Sequence, residues 1–135
     1  METIKFTPPL ATGIEEIDAE HRRLVECLNA VLLANQNGDE PERLMASLES
    51  LRDGTRTHFA QEEVVMRRLA YPSLPAHRAQ HDDLFAALRV LIDHFAESGE
   101  AQLSDETLVS LKAWLLDHIA IEDKKIGKFH DRNVA

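Results

Sequence analysis

The chain has 135 residues, 44% of them hydrophobic and 29% charged, the balance of one soluble globular domain able to bury a core of its own. Fifteen basic residues against twenty-four acidic ones leave a net charge of −9, which argues against nucleic acid and against an anionic membrane as partner. One cysteine, Cys27, excludes an internal disulfide framework and cysteine-rich metal clusters, and no signal-peptide core or run of 18 apolar residues occurs, so a cytoplasmic setting is expected.

Residues 1–13, with Pro8, Pro9 and Gly13, read as an extended arm. From Ile14 the apolar positions Ile17, Leu24, Val25, Leu28, Val31 and Leu32 follow helical spacing to about Asn35. Asn37-Gly38-Asp39 stops that helix, and Pro41 suits the first turn of a second, which carries Leu44, Leu48, Leu51, Val65 and Leu69 and ends near Ala70. Residues 71–75 form a short connection. A third helix presents Leu84, Phe85, Leu88, Leu91, Ile92 and Phe95 and closes at Ser98-Gly99. Ser104-Asp105-Glu106 is the cap region of a fourth, with Leu108, Leu111, Trp114, Leu115 and Ile119. Short connections force neighbours to run antiparallel, so the expected fold is an all-α, up-down-up-down four-helix bundle over residues 14–130, followed by a tail at 131–135. The acidic charge and the lack of a long exposed apolar stripe favour a monomer.

Seven histidines are many for a chain with one tyrosine and one tryptophan. At roughly 100° per residue His21 falls inside the apolar stripe of its helix. His58 and Glu62 are four apart and share a face with Val65 and Leu51; His77 and His81 are four apart and aligned with Leu84, Leu88 and Ile92; His118 sits over Leu111 and Leu115. One such histidine is more often a satisfied core residue than a ligand. Five, with a carboxylate, burden a bundle core by a few kcal/mol each unless they share a metal. His94 falls on the far side of its helix and His130 lies near the frayed terminus, so both should face solvent. Ideal α geometry favours Glu122 as the fourth helix's carboxylate; a π turn, with i→i+5 bonding, would align His118 with Asp123 instead. His-Glu-x-x-His is missing, and the donors are too many for one tetrahedral zinc. They suit two octahedral first-row ions, about 3.5–4 Å apart and bridged by carboxylates. The ferritin-type Glu-x-x-His pairs are missing as well.

Thr12-Gly13-Ile14 with Ile17-Asp18-Ala19-Glu20-His21, then His58-Phe59-Ala60-Gln61-Glu62-Glu63, Tyr71-Pro72 before His77-x-x-x-His81, and Trp114-Leu115-x-x-His118-Ile119-x-x-x-Asp123 resemble the hemerythrin family, specifically its single-domain bacterial members, over about residues 12–130. The resemblance implies a pair of iron ions, one held by His77, His81 and His118, the other by His21 and His58, with Glu62, Asp123 and an oxo or hydroxo group bridging. It overrules the preference for Glu122 and implies a distorted turn between His118 and Asp123. These ligands fill eleven of roughly twelve octahedral positions, leaving one open on the ion with two histidines. The resemblance places dioxygen there, held reversibly as hydroperoxide on the diferric pair, in a pocket of Leu24, Phe59, Trp114, Leu115 and Ile119. It implies a binding protein for oxygen storage, transport or sensing, with at most weak peroxidase-type activity, and azide and nitric oxide as alternative ligands. A diiron enzyme acting on peroxide or nitric oxide, and an iron- or oxygen-responsive regulatory module, stand as alternatives. Asp18 and Glu63 are candidates for orienting the imidazoles. The family commonly has a tryptophan in the arm, where this chain has Phe6 and Pro8-Pro9.

Overall fold

The computed structural model describes residues 3–133; positions 1, 2, 134 and 135, the extremes of the expected arm and tail, lie outside the described residues. Helix α1 spans Glu15–Gln36, α2 Pro41–Arg68, α3 Leu74–Ser98 and α4 Asp105–Asp117. The fourth rod continues through a π-helical segment, His118–Asp123, into α5, Lys124–Asn133. No strand occurs among the described residues, and none of their helices is long and apolar enough to cross a membrane. The architecture is the all-α antiparallel bundle that the apolar periodicity predicts.

Local chemistry sets the helix ends. Pro41 starts α2 where its missing N–H costs nothing, and Pro75 does the same in the first turn of α3. The connection expected over 71–75 is therefore shorter, because Leu74 and Pro75 already belong to the helix. Gly99 closes α3 at φ 72°, a left-handed geometry that glycine adopts without a Cβ penalty. The Ser104 side chain accepts from the Thr107 N–H at 3.2 Å to cap α4.

The arm is pinned rather than free. Ile4 is buried, and its backbone N–H and C=O both bond the Asn29 amide at 2.7 Å. Before α1, Asp18 reaches back to accept from the Thr12 N–H and hydroxyl and from the Gly13 N–H, at 2.7, 2.8 and 3.1 Å. Gly127 brings α5 against this loop, where any Cβ would collide with the Thr12 carbonyl.

Two apolar clusters fill the interior. The larger, with Leu24, Leu28, Leu48, Leu51, Leu88, Phe95, Leu111 and Leu115, occupies one end. The smaller, built on Ile14, Ile17, Val65, Met66 and Ile126, closes the other. On every rod the polar positions fall between these two: His21 lies between Ile17 and Leu24, Glu62 between Leu51 and Val65, and Asp123 between Ile119 and Ile126. This shared register turns four separate amphipathic patterns into one polar layer.

Candidate metal centre

Each rod contributes to that layer. Helix α1 supplies His21, α2 His58 and Glu62 one turn apart, α3 His77 and His81 one turn apart, and the fourth rod His118 and Asp123. All seven side chains are buried, His21 and Asp123 completely. The last pair depends on the π segment. Its i→i+5 bonding widens the turn so that Asp123 faces inward with His118, whereas Glu122 turns outward to meet the Lys125 ammonium at 3.2 Å. The ideal-helix expectation for Glu122 is corrected here, because ideal helical geometry stops at Asp117.

The seven residues form two overlapping donor sets that share both carboxylates, one with His77, His81 and His118, the other with His21 and His58. Every imidazole presents Nε2. Glu62 Oε1 lies 2.8 Å from His77 and 3.0 Å from His81, and Asp123 Oδ1 lies 2.9 Å from both His77 and His118. The opposite oxygens face the other set: Glu62 Oε2 is 3.1 Å from His58 and 3.4 Å from His21, while Asp123 Oδ2 is 2.8 Å from His21 and 3.8 Å from His58. Each carboxylate thus directs one oxygen to each set.

Only part of this contact is hydrogen bonding: His21 Nε2 bonds Asp123 Oδ2, and His77 and His81 Nε2 both bond Glu62 Oε1. His58 Nε2, His118 Nε2, Glu62 Oε2 and Asp123 Oδ1 are fully buried and none has a hydrogen-bond partner, although their neighbours are about 3 Å away. Orphaned buried groups cost roughly 1–3 kcal/mol each. Buried donors that converge with part of their bonding left unmade fit cations placed between them, so the nitrogen-rich cluster suits a metal site. Without metal, protons take up part of the strain. Burial works against a charged His58, but the Asp123 and Glu62 carboxylates overcome it and push it up to about 10. The same opposition raises His77 to about 9. Burial and mutual repulsion work against the two carboxylates, yet the surrounding imidazoles hold both well below the usual range.

Further out, Glu63 Oε2 lies 3.2 Å from His81 Nδ1, and Glu63 Oε1 accepts from the Arg78 guanidinium at 2.8 Å. Glu63 therefore orients an imidazole, whereas Asp18 is consumed by the arm. Arg78 was not legible as a partner; its adjacency to His77 is the only signal that pointed to it. Phe59 stacks on His81 with ring centroids 3.8 Å apart. His94 is exposed as expected, whereas His130 is half-buried, because α5 continues as helix to Asn133 and does not fray at that position.

Leu24, Phe59, Trp114, Leu115 and Ile119 line one cavity together with Leu84, against His58, His118 and Asp123. Its volume of about 10 Å³ holds roughly one water-sized molecule. Trp114 is half-buried and donates its indole N–H to the Leu84 carbonyl at 3.0 Å, tying α4 to α3. Leu84, three residues after His81, reads from its spacing only as a core position.

Residues 12–129 match the hemerythrin HHE cation binding domain. Bacteriohemerythrin of Pseudomonas paraeruginosa is 35% identical over 91% of this chain and 78% of its own length. That of Stenotrophomonas maltophilia is 32% identical over 92% and 79%. A crystal structure of wild-type hemerythrin superposes with a TM-score of 0.82 at 26% identity, over 94% of this chain and 97% of that one. With the domain match spanning the bundle from Thr12 to Phe129, the chain belongs to the hemerythrin family.

Proposed function

We propose that this chain binds dioxygen reversibly at a pair of iron ions held by His21, His58, Glu62, His77, His81, His118 and Asp123. The observation that carries the reading is the split of each carboxylate between a three-histidine and a two-histidine set, with an apolar cavity that meets both sets at His58, His118 and the shared Asp123. Two ferrous ions, when bound, supply the electrons that reversible dioxygen binding draws on. The protein's own residues do the rest. Glu62 and Asp123 hold the two sets in one register, and Glu63 with Arg78 fixes the His81 ring. Leu24, Phe59, Leu115 and Ile119 keep water and stray protons from the cavity, which favours release of intact dioxygen over loss of peroxide. A role in oxygen storage, delivery or sensing follows, with azide and nitric oxide as competing small ligands. The test is anaerobic loading with ferrous iron followed by air: a coloured species that bleaches on degassing is expected, and one-way oxidation with no reversible phase would overturn the reading.

A further inference from the structure

Among the described residues, cavities on four sides touch the polar layer, and they differ in what can pass through them. Resting on the metal-centre reading above, we infer that the cleft between α1 and α2 is the path by which a hydrated divalent cation enters and leaves the centre. This cleft has a volume of about 270 Å³. At roughly 30 Å³ per water in the liquid, it has room for an ion with several of its waters. Glu16, Glu20 and Gln61 line its outer part, and His58 and Glu62 its inner end. At the mouth Glu20, 18% exposed, pairs with Arg23, which shares the cleft wall, and Glu16 pairs with Arg68, so guanidinium groups hold the outer carboxylates in place. At the inner end His58 Nδ1, His58 Nε2 and Glu62 Oε2 are buried without hydrogen-bond partners. Oxygen and nitrogen donors therefore succeed one another along the cleft, as replacement of tightly held waters requires.

The other three approaches reach fewer of the centre's donors or are too narrow. The cavity beside Leu24 and Ile119 is apolar and about 10 Å³, too small for a hydrated ion. The cleft at Arg56 and Arg89 meets only His81, whose ring face Phe59 covers and whose Nδ1 is engaged by Glu63. The α3–α4 groove, about 420 Å³ and lined by Gln80, Asp83, Asp117 and Glu122, meets His118 alone of the centre's donors, whereas the α1–α2 cleft ends on His58 and the shared Glu62.

Entry and exit share one path by microscopic reversibility, so release reports on both. The experiment loads the full chain anaerobically with ferrous iron and follows transfer to excess ferrous chelator, then measures reloading with Fe²⁺. Ala19→Phe fills the cleft and should slow both steps at least about tenfold while two ions per chain still bind at equilibrium. Glu20→Gln should slow loading about threefold at low salt, a difference that vanishes near 1 M salt; it carries the test if Ala19→Phe does not fold. Ala113→Phe, in the α3–α4 groove, should exchange at the rate of the unaltered protein. Full occupancy with unaltered rates in both cleft variants, or slowing by Ala113→Phe instead, overturns the entrance. An unaltered chain that retains no iron at equilibrium is a different result and overturns the centre itself.

Discussion

His58→Ala should reduce bound iron from two ions per chain to one. In the two donor sets Glu62 and Asp123 are common, so the first has five side chains and the second four. Removing His58 leaves the second set one imidazole and the shared carboxylates, while the first set is untouched. His77→Ala leaves two imidazoles and two carboxylates, as many as the unaltered second set has, and should keep both ions with weaker retention. Asp123→Ala removes an oxygen from each set, leaving four side chains in the first and three in the second, and should lose the second ion and weaken retention of the first. Stability follows occupancy. A ligand at a thousand times its dissociation constant adds about 4 kcal/mol. At roughly 4 °C per kcal/mol for a domain of this length, each ion raises the melting temperature by about 15 °C. Metal analysis after desalting gives occupancy, and thermal melts of each variant with and without metal give the shift, free of the variant's own cost in the metal-free protein. His94→Ala, on an exposed side chain, is the control. Two ions retained in Asp123→Ala, or occupancy lost equally in His94→Ala, would refute the shared-carboxylate geometry.

Glu63→Ala removes the acceptor from His81 Nδ1 and should weaken iron binding about 10- to 100-fold in chelator competition, with Arg78→Ala weaker in effect because it acts through Glu63. Loading at pH 7 should release at least about two protons per chain, since His58 near 10 and His77 near 9 are charged in the metal-free chain and must be neutral to ligate. Affinity therefore rises with pH through neutrality and levels off once the pH passes about 10; calorimetry in buffers of differing ionisation enthalpy counts the protons. Gly127→Ala should destabilise the protein by about 1–3 kcal/mol, read as a lower melting temperature, because its Cβ meets the Thr12 backbone and not a side chain that can swing away.

What the linear chain determined by itself was periodicity: which residues are apolar at helical spacing, and where proline and glycine interrupt them. That is local information, and it was enough for four rods, their antiparallel order and the inward face of His21, His58, Glu62, His77, His81 and His118, because the same 3.6-residue repeat sets both the apolar stripe and the position of a histidine on it. Glu122 against Asp123 was not decided that way. The π segment at His118–Asp123 has no local signature, and ideal geometry points to the wrong carboxylate; the family resemblance named Asp123, and the packing of α5 against the arm through Gly127 accompanies the turn that brings it inward. Asp18 and Glu63 were equally plausible as partners for an imidazole, both acidic and both beside proposed ligands. Only the fold separated them, since Asp18 meets Thr12 and Gly13 while Glu63 meets a ring from a different helix. The division of each carboxylate between two sets, and the contrast between a polar cleft and an apolar cavity on either side of His58, are relations among residues as far as 102 positions apart. No spacing within one helix encodes such relations; they exist only once four rods are held in a common register.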